Sequence, residues 1–101
     1  MELLRELYEF FPTAVYTGKA VVFISEESRV ELTEHRRANF SSIGKEMPVL
    51  RVRIFKKALN GEFVPGHYED FELHSINELA AQVERYIQFA VGKNIREIVE
   101  P

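Results

Sequence analysis

The most constraining feature of this sequence is a strict alternation of side-chain types between Val49 and Lys57. Leu50, Val52 and Ile54 fall on one side of an extended strand, because side chains two residues apart point to the same face. The other side of the strand carries Arg51, Arg53, Phe55 and Lys57. The first side requires a hydrophobic core, whereas the second is basic and contains an aromatic ring. We therefore expect a strand with one face on a core and the other free for a ligand, and this chemistry indicates nucleic acid.

Length and composition limit the class of protein. The 101 residues predict one domain, residues 1–101, large enough to fold around a modest core. There is no cysteine, which excludes disulfides, thiolate catalysis and cysteine-based metal sites and is consistent with a reducing compartment. The first residues lack the basic and apolar pattern of a secretory signal, and no apolar run approaches the length of a membrane span. We expect a cytoplasmic protein with no membrane association.

Basic residues are concentrated in one part of the chain. Residues 29–57 hold eight Lys and Arg residues and three acidic ones, whereas the remainder holds five basic and thirteen acidic residues. The net charge of −3 therefore hides a local excess of positive charge. A protein that binds a polyanion needs such a patch more than a basic total. An ordinary solvated strand face is the alternative explanation, because exposed Lys and Arg are common.

The first half of the chain predicts a helix and a hairpin. Apolar residues at helical spacing predict a helix over residues 2–11, which Pro12 ends. Residues 19–25 are apolar on both sides, which predicts a strand buried on both faces or at a subunit contact. Residues 29–33 alternate, so a turn at residues 25–28 makes a hairpin. Residues 34–47 are predicted as a bent strand or loop that turns at Gly44.

The second half predicts two more strand segments and a helix. Asn60-Gly61 and Pro65-Gly66 are both turn signals after the strand at residues 49–57. The strand at residues 67–73 directs Phe71 inward and Asp70 outward. A capping box at residues 75–78 begins an amphipathic helix that Gly92 ends, and its aromatic residues Tyr86 and Phe89 widen its apolar stripe. The predicted fold is α+β: an antiparallel sheet of about four strands packed on a long C-terminal helix, with an extra N-terminal helix.

The order of features in residues 49–91 resembles a known family. A basic strand is followed by Gly-Glu-x-x-Pro-Gly, a short strand and a helix with spaced Leu and Ile. This order is similar to that of the positive cofactor four family of transcriptional coactivators. The resemblance implies a small homodimer whose curved antiparallel sheets, each backed by a helix, bind single-stranded DNA. It covers under half of the chain, and the residues that carry it are Arg51, Arg53, Phe55, residues 61–66, Leu73, Leu79 and Ile87.

The predicted function is binding of single-stranded DNA or RNA with little sequence preference, in a transcription or DNA-metabolism accessory factor. Basic side chains would neutralise phosphates, and Phe55, Phe40 or Tyr68 would stack on bases. The nucleic-acid-binding residues predicted from the sequence are Arg36, Arg37, Phe40, Lys45, Arg51, Arg53, Phe55, Lys56 and Lys57.

The acidic strand leaves an alternative open. The strand at residues 67–73 carries Glu69, Asp70 and Glu72, whereas the corresponding strand of the resembled family tends to be basic. Carboxylates paired across the strands with Arg51 or Arg53 would neutralise the basic face. The chain would then be a non-enzymatic protein-interaction module or homodimeric adaptor with no role in nucleic-acid binding. Arginines bonded to these carboxylates would favour the adaptor, and free arginines would favour nucleic acid.

An enzymatic function is not expected. His35, His67 and His74 lack the spacing of a metal-binding motif such as His-Glu-x-x-His. Alternation sends Glu69 and Asp70 to opposite faces, so they do not form a carboxylate pair. No glycine-rich phosphate loop follows a strand, and no nucleophile elbow is present. We predict no catalytic residue, no cofactor and no metal.

Overall fold

A computed structural model describes residues 3–38, 46–73 and 75–92 of the chain. The described part is an antiparallel sheet in which each strand pairs with the next in sequence, together with two helices. The predicted α+β architecture, with a helix at each end of the described chain, is confirmed. The elements in chain order are α1 (Leu3–Phe10), β1 (Val15–Tyr16), β2 (Val21–Ile24), β3 (Ser28–Ala38), β4 (Glu46–Lys57), β5 (Phe63–Glu72) and α2 (Ile76–Val91).

In the described part of the chain the sheet has five strands rather than the roughly four predicted from the sequence. The additional strand is β1, in which Val15 pairs with Val22 and Tyr16 with Val21. Two residues are too few to show the alternation by which a strand is recognised in sequence. α2 is also not the longest element. Its 16 residues span about 24 Å, whereas the 12 residues of β4 span about 40 Å because a strand rises more than twice as far per residue.

The hydrophobic core lies between one face of the sheet and both helices. The strand residues predicted to face inward, including Val30, Leu32, Leu50 and Val52, are fully buried there. α2 contributes the stripe that its sequence predicts, and α1 covers the other end of the sheet. We call the sheet face that turns away from α1 and α2 the outer face. The helix residues buried in the core are Leu3, Leu4, Leu7, Leu79, Ala80, Val83 and Ile87.

β2 is buried on both faces for most of its length. Val21 and Phe23 belong to the core, and Val22 is buried although alternation places it on the outer face. One of the two predictions for this strand is therefore confirmed. The hairpin to β3 closes as expected, because the Ser25 N–H donates to the Ser28 carbonyl at 2.9 Å.

β3 and β4 extend further into residues 34–47 than predicted. They pair as far as Ala38 and Glu46, so the ends of this segment are strand rather than loop. The predicted turn at Gly44 lies outside the described residues. His74 also lies outside the described residues.

The connection from β4 to β5 contains one of the two predicted turns. Gly61, with φ of 87°, closes a turn in which the Ala58 N–H donates to the Glu62 carbonyl at 2.8 Å. Pro65-Gly66 was predicted as a second turn, and this is wrong, because both residues lie inside β5. β5 lies at the edge of the sheet. An edge strand tolerates proline where the backbone nitrogen faces away from the neighbouring strand, because no hydrogen bond between strands is then lost.

A bulge occupies the same part of β5. Arg53 pairs with Tyr68 and Phe55 pairs with Pro65, so β5 contains one residue more than β4 between these pairs. Glycine suits the bulge, because a Cβ on Gly66 would lie 3.1 Å from the Ile54 carbonyl oxygen. The bulge shifts the register of every pair beyond it by one residue.

α2 begins and ends where the sequence predicts. The Ser75 hydroxyl accepts a hydrogen bond from the Glu78 N–H, and Gly92 ends the helix in the left-handed conformation with φ of 76°. Within the described ranges, neither helix is both long and apolar enough to cross a membrane.

Candidate functional site

The outer face brings together side chains from three strands. In one row across the sheet, Glu31 of β3 lies opposite Arg53 of β4, which lies opposite Tyr68 of β5. In the next row, Thr33 and Asp70 flank Arg51. The predicted outward direction of Arg51, Arg53, Phe55 and Lys57 follows from this register, since their inward neighbours are in the core.

Arg51 is bonded to the acidic strand. Its Nε donates to Asp70 Oδ1 at 2.8 Å, and its Nη2 donates to Asp70 Oδ2 at 3.0 Å. This geometry is the bidentate pair that arginine and carboxylate form when both are well placed. The hydrogen bond to Asp70 raises the pKa of the Arg51 guanidinium above its ordinary value. Arg51 is therefore committed within the protein, as the adaptor alternative requires.

Arg53 is in a different situation. Among the described residues, its side chain makes one hydrogen bond, a long one of 3.5 Å from Nη1 to the Gly66 carbonyl. Its guanidinium carbon lies 4.7 Å from the centre of the Tyr68 ring, and that of Arg51 lies 4.1 Å from the same centre. These distances are those of cation–π contacts. Tyr68 remains 45% exposed, so it presents both a ring and adjacent cations to solvent.

Two further rings on the outer face have cations near them. The Arg29 guanidinium carbon lies 6.0 Å from the centre of Phe55, and Lys57 Nζ lies 5.9 Å from the centre of Phe63. Arg29 also approaches Glu31, with Nε 2.9 Å from Oε2. Rings and cations therefore lie side by side across β3, β4 and β5. We call this surface the basic–aromatic patch; its residues are Arg29, Arg53, Phe55, Lys57, Phe63 and Tyr68.

Acidic residues of β5 lie away from most of the patch. Phe63 pairs with Lys57 at one end of β5, whereas Glu72 pairs with Val49 at the other. Asp70, next to the Glu72 end, is the partner of Arg51. Glu69 pairs with Val52 and so faces the helix side of the sheet. The predicted repulsion of phosphate by the acidic strand therefore applies to one end of the outer face rather than to all of it.

Two other predicted site residues, Lys56 and Arg36, do not join this patch. Lys56 is two residues from Ile54 in β4 and therefore lies on the helix side of the sheet, as Ile54 does. Arg36 lies opposite Pro48, towards the far end of β3. The Arg37 side chain, Phe40 and Lys45 lie outside the described part of the structure. Among the predicted residues whose side chains the structure describes, Arg51, Arg53, Phe55 and Lys57 share the outer face.

The sequence-based site omitted Tyr68, Phe63 and Arg29. Alternation already placed Arg29 outward, and Tyr68 was recognised as a ring that could stack. The position of Phe63 beside Lys57 follows from the register of the β4–β5 hairpin. The pairing of the other outward residues of β5 with those of β4 depends on the bulge at Gly66. A sequence signal for that bulge would have been needed to predict it.

A cleft opens at the edge of the sheet beside the patch. It has a volume of about 610 Å³ and lies between the β5 bulge and the second half of α2. Burial, and secondarily the charge of Glu69, raises the pKa of the Tyr86 phenol in its wall. The described residues contain no cluster of His, Cys, Asp or Glu that could hold a metal ion. The cleft is lined by Ile54, Lys56, Gly66, His67, Tyr68, Glu69, Tyr86, Phe89 and Ala90.

Comparison of the chain with protein-family models, curated proteins and solved structures gave no match.

Proposed function

We propose that this protein is a non-enzymatic binding protein for single-stranded nucleic acid, and that the basic–aromatic patch is its binding surface. The observation that carries the proposal is the adjacency of Phe55, Phe63 and Tyr68 to Arg29, Lys57 and Arg53 on one sheet face. Single-stranded nucleic acid combines planar bases with a charged backbone. The rings of the patch can stack on the bases, and the cations beside them can contact the phosphates. Duplex DNA hides its base faces and would use only the cations.

Arg51 has a supporting role in this proposal. Its bond to Asp70 fixes the guanidinium beside Tyr68, so the ring is held in place before a ligand arrives. A ring that is already ordered loses less conformational entropy on binding. Phosphate contacts then belong to Arg53 and Lys57, because Arg29 is paired with Glu31 as Arg51 is with Asp70.

Salt dependence gives the first quantitative expectation. If Arg53 and Lys57 each neutralise a phosphate of a single strand, a plot of the logarithm of the association constant against the logarithm of salt concentration has a slope of about −1.4. Binding should show little sequence preference on the patch, because every base offers a stacking face. The accessory role in transcription or DNA metabolism implied by the family resemblance is part of the same proposal, and DNA and RNA oligonucleotides are to be compared.

The test is fluorescence anisotropy of labelled oligo-dT at several salt concentrations. Tyr68→Leu should weaken binding roughly 5-fold or more through the lost stack, and Arg53→Ala should weaken it and make the salt slope shallower. Arg5→Ala is the matched control, because Arg5 is an exposed arginine on α1 and its removal changes the net charge equally. Absence of binding at low salt, or equal weakening by Arg5→Ala and Arg53→Ala, would refute the proposal.

The adaptor remains the second candidate, and the Arg51–Asp70 pair is the observation that favours it. We also propose the predicted homodimer, with a contact at the outer-face edge formed by β1 and β2. Val15 and Ile24 are 54% and 47% exposed there, beside the buried Val22. Light scattering of the wild type and of Ile24→Glu tests this contact: a dimer that the substitution dissociates supports it, and a monomeric wild type refutes it.

A further inference from the structure

The cleft at the β5 edge is continuous with the basic–aromatic patch. Tyr68 belongs to both surfaces, whereas Lys56 and Phe89 line the cleft from the helix side of the sheet. The connection passes over Gly66, where the strand bulges and no side chain blocks the edge. A chain lying on the outer face can therefore cross the sheet edge at this point and continue into the cleft.

Phe89 provides a stacking surface in the cleft. It is 86% exposed, although the other large apolar residues of α2 are buried or partly buried. The neighbouring Tyr86 packs edge-on against Phe71, with ring centres 5.8 Å apart. The face of a ring with this exposure is open to stacking by a base. A base that left the outer face would meet this ring next.

The charges in the cleft select the part of the nucleic acid that enters it. Lys56 attracts a phosphate, whereas the carboxylate of Glu69 repels one. An ionised carboxylate can accept hydrogen bonds but cannot donate them, so Glu69 requires a donor group on its ligand. The amino groups of cytosine, adenine and guanine are such donors. Thymine and uracil present a carbonyl oxygen where cytosine and adenine have that amino group, and their single N3–H donor lies between two carbonyl oxygens that a carboxylate repels. A base with an amino group therefore complements Glu69 better than thymine or uracil does.

We infer that this cleft is a second subsite of the nucleic-acid surface, in which Phe89 stacks on a base that carries an amino group, Glu69 accepts from that group and Lys56 contacts the adjoining phosphate. This inference rests on the proposed function and deepens it. The patch binds bases without preference, and the cleft adds a preference at one position of the strand.

The test uses oligo-dT of increasing length and matched oligonucleotides with one dC at either end. With the longer oligonucleotides, the wild type should bind one of the two dC-terminated strands roughly 5-fold or more tightly than all-dT. Glu69→Gln should remove this preference, because its amide can donate to thymine. Phe89→Ala should weaken binding of the longer oligonucleotides and leave the shortest unchanged. Gln88→Ala is the control, since this exposed neighbour on α2 does not line the cleft.

The outcomes separate the two proposals. Oligo-dT binding without a terminal preference, combined with equal effects of Phe89→Ala at every length, overturns the subsite and leaves the patch intact. Absence of all oligonucleotide binding overturns both. If Phe89→Ala instead converts a dimer into a monomer in light scattering, the cleft holds a second copy of this chain and the subsite is wrong.

Discussion

Replacement of Arg51 by alanine tests the central contact of the outer face. The substitution removes both hydrogen bonds to Asp70 and the guanidinium that lies 4.1 Å from the Tyr68 ring centre. It leaves the core untouched, because Arg51 lies on the face opposite to Val52 and Leu50. Any loss of stability therefore reports on the ion pair and its surroundings.

The expected size of the effect follows from burial. The Arg51 and Asp70 side chains are 21% and 9% exposed, so water screens their attraction less than it does for most surface pairs. Hydrogen bonds to charged groups contribute about 1.5–3 kcal/mol, and partial exposure reduces this. We expect Arg51→Ala to lower the free energy of unfolding by about 2 kcal/mol. For a domain of this size, that lowers the Tm by roughly 8–16 °C.

The assay is urea denaturation followed by far-ultraviolet circular dichroism. A double-mutant cycle of Arg51→Ala with Asp70→Asn isolates the interaction of this pair from the other contacts of each residue. Arg51→Lys should recover part of the loss, because an ammonium keeps the charge but not the two-pronged geometry. Arg53→Ala is the neighbouring control and should cost less than about 0.5 kcal/mol, since it loses one long hydrogen bond and an exposed ring contact.

Two results would refute this reasoning. One is equal destabilisation by Arg51→Ala and Arg53→Ala, which would mean that the bidentate geometry contributes nothing beyond surface charge. The other is a coupling energy in the cycle below about 0.5 kcal/mol, the scatter expected for independent sites. Either result would also weaken the supporting role of Arg51 in the nucleic-acid proposal.

Further predictions concern α2 and the core. Because the pKa of Tyr86 is raised in the folded state, its contribution to stability is complete below the unfolded-state value near 10 and is lost as pH rises through the folded value. A tyrosine titration by NMR should show this, and Glu69→Gln should lower the pKa only in part, because burial is the larger cause; a normal pKa for Tyr86 would contradict the packing. Ser75→Ala should destabilise by about 1 kcal/mol in urea denaturation through loss of the N-cap, and an effect near zero would show that the cap is dispensable. Phe23→Ala should destabilise by about 3–5 kcal/mol, since Phe23 is fully buried and packs edge-on against Phe11; retention of wild-type Tm would refute that packing.

Local patterns predicted most of the elements. α2 was predicted with its Ser75 cap and Gly92 end because both signals act within a few residues. The inward residues of β3 and β4 were predicted because alternation is a property of the extended chain itself. β1 was not predicted, because its two residues form a strand only through their pairing with β2.

The candidate site was likewise predicted in part from the sequence. The sequence placed Arg51, Arg53, Phe55 and Lys57 on one face, and the structure agrees. The sequence also placed Lys56 in the same site, although alternation directs it to the other face. The role proposed for Lys56 depends on the cleft between β5 and α2. The sequence of β4 carries no information about where α2 packs.

Which side chains share a face could be predicted from the sequence, because side-chain direction alternates along any strand. Which of these side chains contact one another depends on how the strands pair in the folded sheet. A single additional residue in β5, at the Gly66 bulge, sets Tyr68 opposite Arg53 and Asp70 opposite Arg51. A shift of one residue would bring the helix-side residues of β5 to those positions. Pairing between strands is non-local, because it joins residues that are distant in the chain. The difference between Arg51, which is bonded to Asp70, and Arg53, which makes one long hydrogen bond to Gly66, therefore arises in the folded sheet.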